Sequence, residues 1–523
     1  RDGIHGVTFA SRDLDAGSEE DIGAVQLGDP ITKEPLMHLC LELNEMGLLT
    51  GMKDLGGGGL SCVVGELALD AGFGAKVDLE KVHLKVENMP PWEIWVSESQ
   101  ERMMFTVTPK NVKKVLEICK SWDVEAVNIG EVIAEKRNIV NYHGTEILNL
   151  DLEFTTGGPV YKRPYNLPEY DIGNPADLPP YPDDIKAQII NIINQPEVAS
   201  KDWVIRQYDH EVRGKTTLKP IQGPIGKEVP GDSSVIKPID DSWKGLALTS
   251  DINPYLMEAN PYHGTMSAVE EVCRNLASVG ARIDSLADCL CFGNPQRPEI
   301  MGQFKASCEA LRDAATSVDV PYVSGNVSLY NETQEGAIPP TPVLMGIGLV
   351  NDIRKCVTSD MKSEGSIWLV GQTKEEMGAS LYYRTLGIEC PKVPVTNFRT
   401  FLPRMEQLIQ AIENEEVVAC HDISNGGLAL SIIEMCMSGF GAEITFDGKL
   451  RTDVELFSES NGRWIVQVAP EYEDAFSKRF DFAKKIGNIN EKIIFKNGSE
   501  KLVELTIEEV RDKWIKPIWD RLA

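Results

Sequence analysis

The residues best suited to chemistry lie in a few short polar stretches of carboxylates, amides, hydroxyls and glycines. Lys53-Asp54-Leu55 runs into four consecutive glycines, Gly56 to Gly59. Glycine lets a backbone approach a ligand closely, and a helix N-terminus presents free N–H groups. An aspartate before such a turn suits a cation held against an anion, since magnesium favours carboxylates combined with substrate phosphate oxygens. The alternative is a tight strand-to-helix turn capped by Asp54. Four glycines in succession favour the functional reading. The device returns at His421-Asp422-Ile423-Ser424-Asn425-Gly426-Gly427-Leu428, where both readings stay open.

Three other stretches carry usable groups. Glu98-Ser99-Gln100 offers an acceptor, a hydroxyl and an amide, which suit a polar ligand such as a ribose or an amide. The alternative is the charged start of a strand, with Glu98 or Glu101 paired to Arg102. Asp288 stands in an apolar run, where an unpaired charge is costly, so it must find a donor, a metal or a ligand such as adenine or ribose. A neighbouring backbone donor is the commoner outcome. Gly325-Asn326-Val327-Ser328 can present an amide oxygen and a hydroxyl to metal and substrate, or form a plain type I or II turn. Gln26, in Val25-Gln26-Leu27-Gly28-Asp29-Pro30, signals little by itself. His210 lies beside carboxylates and reads as a local ion pair, not as a base. There is no Walker loop, GxSxG elbow, HExxH or Rossmann fingerprint, so any nucleotide is bound outside those modes.

The elements that hold these stretches occur twice. A helical pattern spans about Ile31 to Met46, with Leu36, Leu39, Leu43 and Met46 on one face. The glycine turn and a second helix follow. Then come Ser97-Glu98-Ser99-Gln100-Glu101-Arg102, the strand Met103–Val107, a helix over Pro109–Trp122, a strand around Ala126–Ile133 and a hairpin over Asn138–Leu152 turning at Gly144. Further on, the order repeats. A helix over Phe398–Glu413 precedes Asp422 and its glycines, with a helix to Gly439. Ser458-Glu459-Ser460-Asn461-Gly462-Arg463, the strand Trp464–Val468, a helix over Glu471–Lys485 and a hairpin turning at Asn497-Gly498 come after it. Asp54 and Asp422 are 368 apart, Glu98 and Glu459 361, and Gly130 and Gly487 357. Slowly shrinking offsets are the mark of a duplicated domain with small deletions.

Between the copies, Gly157–Glu197 is rich in proline and polar residues and reads as a linker draped over the surface. A middle domain begins near Trp203. It has a helix over Gly264–Val279, a buried strand over Ser285–Phe292, a helix over Gly302–Ser317 and a short strand Tyr322-Val323 that ends in the polar turn Ser324–Ser328. In the second copy the strand Ile367–Gly371 precedes the Gly378 step, whereas nothing precedes its counterpart near Gly6–Ser11. The region of about 200–350 likewise has no upstream partner. The expectation is that one further domain belongs before Arg1.

Composition narrows the function classes. With 523 residues the chain is long enough for several domains. A net charge of −28 repels phosphate backbones and excludes general nucleic-acid binding, but not a small phosphorylated ligand offset by a metal. No apolar run reaches the length of a membrane span. The eleven cysteines are scattered and read as buried reduced thiols of a cytoplasmic protein, and Cys289-x-Cys291 lacks the second pair of a zinc site.

Taken together, Arg1-Asp2-Gly3-Ile4, Val25-Gln26-x-Gly28-Asp29-Pro30, Lys53-Asp54-x-Gly56, Ser97-Glu98-Ser99-Gln100-Glu101-Arg102, Tyr208-Asp209-His210-Glu211-Val212, Asp288-x-x-x-Phe292-Gly293-Asn294-Pro295 and Ser324-Gly325-Asn326-Val327-Ser328 resemble, in order, the synthetase subunit of phosphoribosylformylglycinamidine synthase. The resemblance covers essentially the whole chain. It implies an α+β, α/β-sandwich fold of duplicated aminoimidazole ribonucleotide synthetase-like domains, divided as 1–156, a linker at 157–200, 201–350 and 351–523. It implies an ATP- and Mg2+-dependent C–N ligase of purine synthesis. Formylglycinamide ribonucleotide is activated at its amide oxygen by phosphoryl transfer, through an iminophosphate, and ammonia displaces phosphate. The implied partners are a glutaminase subunit and a small bridging subunit.

By motif, Gln26, Glu98, Ser99, Gln100 and Ser328 resemble substrate-binding positions, Asp54 and Asn326 magnesium positions, and Asp288 and Gly325 ATP positions. A site between domains is the expectation. No catalytic residue is assigned here, because the family's histidines lie in the N-terminal domain, and the chain by itself is expected to be inactive. The Lys53-to-His421 and Gln100-to-Asn461 changes imply that the second copy has diverged and holds a structural nucleotide or nothing. The rival readings are another synthetase of the same fold, which the duplication and Glu-Ser-Gln oppose, and a non-catalytic nucleotide-binding scaffold.

Overall fold

Where both are described, the two copies of the repeat build the same kinds of element in the same order. The computed structural model describes residues 30–84, 88–158, 160–169, 178–207, 210–211 and 213–522, so Gln26 and the motifs before Pro30 lie outside the described residues. The chain divides into two compact units, residues 1–163 with 330–337, and 164–329 with 338–523.

In the first unit, Leu39 and Leu43, four apart on the helix Pro30–Glu45, pack with Val115 and Cys119, four apart on the helix Val112–Ser121. This spacing puts each pair on one helix face. The strand Leu49–Asp54 pairs antiparallel with Met103–Val107, and Asp54 stands opposite Met103. A four-stranded sheet orders Gly130–Ile133, Gly74–Asp78, Arg137–Tyr142 and Thr145–Asp151. Gly144 makes the hairpin turn with φ 78°. The strand expected around Ala126–Ile133 begins only at Gly130.

In the second unit, a seven-stranded sheet orders Val417–Asp422, Trp464–Val468, Ser366–Val370, Ala483–Asn490, Gly441–Phe446, Ile493–Asn497 and Glu500–Leu505. Remove the central strand Ser366–Val370 and the remaining order is that of the two sheets in the first unit. That strand pairs with Trp464–Val468 on one side and Ala483–Asn490 on the other. Its counterpart is not among the described residues of the first unit. Met103–Val107 is half-buried along its length, while Trp464–Val468 is buried at every position.

The middle domain is a six-stranded sheet in the order Tyr322–Ser328, Arg282–Cys291, Thr341–Val350, Gly245–Asp251, Ser234–Ile236 and Thr216–Leu218. Along Thr341–Val350 every second residue is buried, from Pro342 to Val350. That alternation marks a sheet with one packed face. The helix Pro261–Ser278 lies against this sheet and against the helix Pro298–Val318. No helix of the described residues is long and apolar enough to cross a membrane.

Three expectations are corrected. Ser324–Ser328 is no turn: it continues the strand Tyr322–Ser328, parallel to Arg282–Cys291. Ladder hydrogen bonds to a long neighbour outweigh its small polar composition. The stretch expected as a surface linker carries the helix Ile185–Ile193, capped by the Asp184 carboxylate on the Ala187 N–H. Ile185, Ile189, Ile192 and Ile193 enter the core of the second copy. Fully burying one such side chain is worth about 1.5–3 kcal/mol, which draws the segment inward. The helix expected over Glu471–Lys485 stops at Arg479, because Ala483–Asn490 has strand partners on both edges.

One arginine ties each copy together. Arg463 is fully buried and donates to the carbonyls of Ser458 at 2.6 Å and Ser460 at 2.8 Å, and to Thr373 Oγ1 at 3.0 Å. Arg102 repeats the two carbonyl bonds at 2.6 Å to Ser97 and 2.7 Å to Ser99, but is half-buried. Arg463→Met is expected to lower unfolding free energy by about 3 kcal/mol or more in urea titrations, since it strands buried carbonyls. Arg102→Met should cost clearly less; equal losses would contradict this ranking.

Candidate active site

The Asp54 turn is built by contacts that Asp54 itself does not make. The Leu55 N–H donates to the Arg102 carbonyl at 3.2 Å, closing the end of the strand pair. The Gly58 N–H donates to Glu98 Oε1 at 3.1 Å. Gly59, not Asp54, is the N-cap of the helix Leu60–Asp70, and it makes no side-chain cap bond. The capping role for Asp54 is therefore absent. The Asp54 carboxylate is left exposed at the end of its strand, next to Gly56. An exposed carboxylate beside open backbone fits a hard, oxygen-seeking cation.

Around it, Glu98 is buried, with one oxygen on the turn. Ser99 Oγ lies 3.1 Å from Ser97 Oγ, and Gln100 Nε2 donates to the Glu98 carbonyl at 3.0 Å. Lys53 pairs with Glu66 at 2.7 Å. Four predicted residues, Asp54, Glu98, Ser99 and Gln100, are described in this unit, and Glu98 bonds the turn that follows Asp54.

The second unit holds the remaining four. Parallel pairing sets Asp288 opposite Gly325, Cys289 opposite Asn326 and Cys291 opposite Ser328. The Asp288 carboxylate lies over Gly325: a Cβ there would sit 3.0 Å from Asp288 Oδ1. Burial raises the Asp288 pKa above the ordinary carboxylate value, and the Asn326 backbone N–H partly offsets this. The backbone donor anticipated from sequence is thus present. Asn326 Nδ2 reaches Cys289 Sγ at 3.5 Å, so Asn326 and Ser328 share the sheet face of Cys289 and Cys291, opposite that of Asp288. Asn326 and Gly325 are exposed on an edge strand.

The second copy repeats the turn and closes it. The Ile423 N–H donates to the Arg463 carbonyl at 3.1 Å, and the Gly426 N–H to Glu459 Oε1 at 2.8 Å. Asp422, though, is buried and bonded to Arg274 Nε at 3.2 Å. Its backbone N–H donates to Asp232 Oδ2 at 3.1 Å. Arg274 also pairs with Glu270 and Glu271. Burial first, then the Asp232 charge, push the Asp422 pKa up to about 7 against the pull of Arg274.

His421 stands where Lys53 stands, and its Nε2 meets Glu434 at 3.1 Å as Lys53 meets Glu66. Its Nδ1 meets Asp232 at 2.6 Å. Burial opposes the His421 charge, but Asp232 and Glu434 prevail and hold its pKa well above the ordinary value. Asp232, His421 and Asp422 bring donor atoms within 4.8 Å of one another. The trio is joined to its surroundings by ion pairs, His421 with Asp232 and Glu434, and Asp422 with Arg274.

Sequence reasoning missed Asp232, Arg274 and Glu434. Glu434 had a signal: it trails His421 by the spacing at which Glu66 trails Lys53. Asp232 and Arg274 come from distant segments and had none.

The fold and the exposed-aspartate turn define an AIR synthase-related chain. The C-terminal domain of AIR synthase related proteins matches residues 1–143 and again 357–495, and the N-terminal domain matches 230–350. Phosphoribosylformylglycinamidine synthase subunit PurL of Thermoplasma volcanium is 37% identical over 521 residues, covering 98% of this chain and 68% of that protein. Two solved T. maritima PurL structures align with it. The one complexed with FGAR has a TM-score of 0.66 and 26% identity, covering 93% of this chain and 69% of that one. The one complexed with ATP has a TM-score of 0.64 and 25% identity, covering 90% and 68%. The chain belongs to the phosphoribosylformylglycinamidine synthase PurL family.

The raised His421 pKa makes stability depend on pH. A folded pKa above the unfolded value of about 6.5 stabilises fully below that pH, and the contribution fades as pH rises through the folded value. His421→Gln is expected to cost roughly 3–5 kcal/mol near pH 5.5, with the deficit shrinking in alkaline buffer, as read by urea unfolding across pH. A deficit that grows with pH would contradict the charged-histidine assignment.

Proposed function

We propose that this chain forms the ligand-binding body of an ATP-dependent ligase that converts formylglycinamide ribonucleotide and ammonia into formylglycinamidine ribonucleotide. Family membership carries the reaction class. The exposed Asp54 turn, kept open in one copy and sealed in the other, carries the assignment of the working copy.

The roles follow from the donors each residue offers. Asp54 and Asn326 supply a carboxylate and an amide oxygen for Mg2+, which neutralises phosphate charge when bound. Gln26, Glu98, Ser99, Gln100 and Ser328 hold substrate. Glu98 does so while anchoring Gly58, so it positions its neighbours as well as contacting the ligand. Asp288 and Gly325 hold ATP: the carboxylate suits a ribose or adenine donor, and the bare Gly325 keeps that carboxylate in place. Phosphoryl transfer to the substrate's amide oxygen forms an iminophosphate. Ammonia adds to its carbon and phosphate leaves, giving the amidine. The protein's part is to align the two anions and stabilise developing charge.

The relative's printed name marks it as a subunit, which supports an ammonia-supplying glutaminase partner and a small bridging subunit here. We divide the chain accordingly into a C-terminal-type domain to residue 156, a connector to 200, an N-terminal-type domain to 350 and a second C-terminal-type domain.

Asp54→Asn and Asp288→Asn in the full-length enzyme separate these roles. Asp54→Asn should lower ammonia-dependent kcat/KM by about 100-fold or more and raise the Mg2+ requirement. Asp288→Asn should raise the KM for ATP first. Wild-type kinetics in Asp54→Asn would overturn the metal assignment.

A further inference from the structure

Two copies of one turn separate what the fold demands from what a ligand demands. Gly58 and Gly59 correspond to Gly426 and Gly427, with φ of 73°, 53°, 77° and 66°. A Cβ on Gly59 would lie 1.9 Å from the Ser97 carbonyl oxygen, and one on Gly427 would lie 2.7 Å from that of Ser458. Glycine is required at these positions in both copies by the backbone alone.

Gly56 and Gly57 correspond to Ser424 and Asn425. The same turn, with the same carboxylate anchor, is therefore built with side chains at both positions. Gly56 is not among the residues with positive φ, and a Cβ there would meet only Asp54 Oδ2, at an ordinary 3.6 Å. The protein does not ask for glycine at 56. Keeping it forgoes the stability that a side chain would add by restricting the unfolded chain.

The surroundings of each pair differ too. Asn425 uses its side chain to accept from Asn253 Nδ2 at 2.9 Å, and the nearby Asp422 carboxylate faces Arg274. In the first copy Asp54 is exposed, and the N–H groups of Gly56 and Gly57 donate to no protein acceptor among the described residues. In the second copy the Ser424 and Asn425 N–H groups likewise donate to no protein acceptor among the described residues, so the difference lies in the Asn425 side chain and in the Arg274 partner of Asp422.

We propose that Gly56 and Gly57 are positioning residues: their bare backbone admits the phosphoryl oxygens that accompany the cation on Asp54, and a side chain at either holds those oxygens off. This rests on the ligase reading above.

The test imports the second copy's own residues, as Gly56→Ser with Gly57→Asn, into the full-length enzyme. The thermal midpoint should stay within about 2 °C of wild type. Ammonia-dependent kcat/KM should fall by about 100-fold, with KM for ATP and kcat both affected. Gly56→Ala alone should show the same trend, and Gly59→Ala should instead lower the thermal midpoint. Wild-type kcat/KM in the double variant at wild-type stability would overturn the proposal, and so would a loss merely in proportion to unfolded protein. If wild-type enzyme itself fails to turn over formylglycinamide ribonucleotide, the ligase reading fails. The glycine proposal is then judged by Mn2+ titration with a non-hydrolysable ATP analogue, monitored by electron paramagnetic resonance. Weaker Mn2+ uptake in the double variant supports it, and equal uptake overturns it.

Discussion

A carboxylate that receives the N–H of a glycine is the contact on which the rest of the site depends. Glu98 receives Gly58 and Glu459 receives Gly426, at 3.1 and 2.8 Å. Each buried acid pins the loop after a strand to the segment before its antiparallel partner, and an arginine four residues on fixes that segment through two carbonyls. Charge-assisted bonds of this kind are short and directional. With the turn fixed, the acid at the strand end has only one place to stand. Whether it works on a ligand then depends on what faces it.

The two copies answer that differently. In the second, Arg274 supplies the positive charge for Asp422, and a charged His421 spans Asp232 and Glu434. These bonds join the strand Val417–Asp422 to the helix Pro261–Ser278 and to the segment before the strand Ser234–Ile236. Breaking one partner of such a network leaves a buried charge, so the arrangement resists substitution even where its net contribution is small. In the first copy the equivalent acid is exposed. A chain with a net charge of −28 gains from drawing cations to such a carboxylate, and a phosphorylated ligand can then accompany the metal despite the surrounding field.

Much of this was legible in the sequence. The duplication could be read from the glycine turns and the Ser-Glu-Ser pairs, and Met103–Val107, Trp464–Val468 and Phe398–Glu413 have the bounds their patterns indicate. These are strongly periodic segments with local end signals. Ala483–Asn490 was not legible, because its strand state depends on two neighbours far away in sequence. Ser324–Ser328 misled by composition: glycine, asparagine and serine suit a turn, yet the residues complete a parallel ladder. Asp54 and Asp422 could be paired, and the four glycines favoured function at Asp54, but the sealing of Asp422 was not legible, since Arg274 and Asp232 reach it only through the fold.

The proposed roles of the first copy hang on one claim, that its turn takes a cation at Asp54 and the copy at Asp422 does not. Crystals of the full-length enzyme grown with Mn2+, formylglycinamide ribonucleotide and a non-hydrolysable ATP analogue would test it directly by anomalous scattering. A manganese peak within coordination distance of the Asp54 carboxylate, with none at Asp422, is the predicted result. A peak at Asp422 with Arg274 displaced, and none at Asp54, would contradict it.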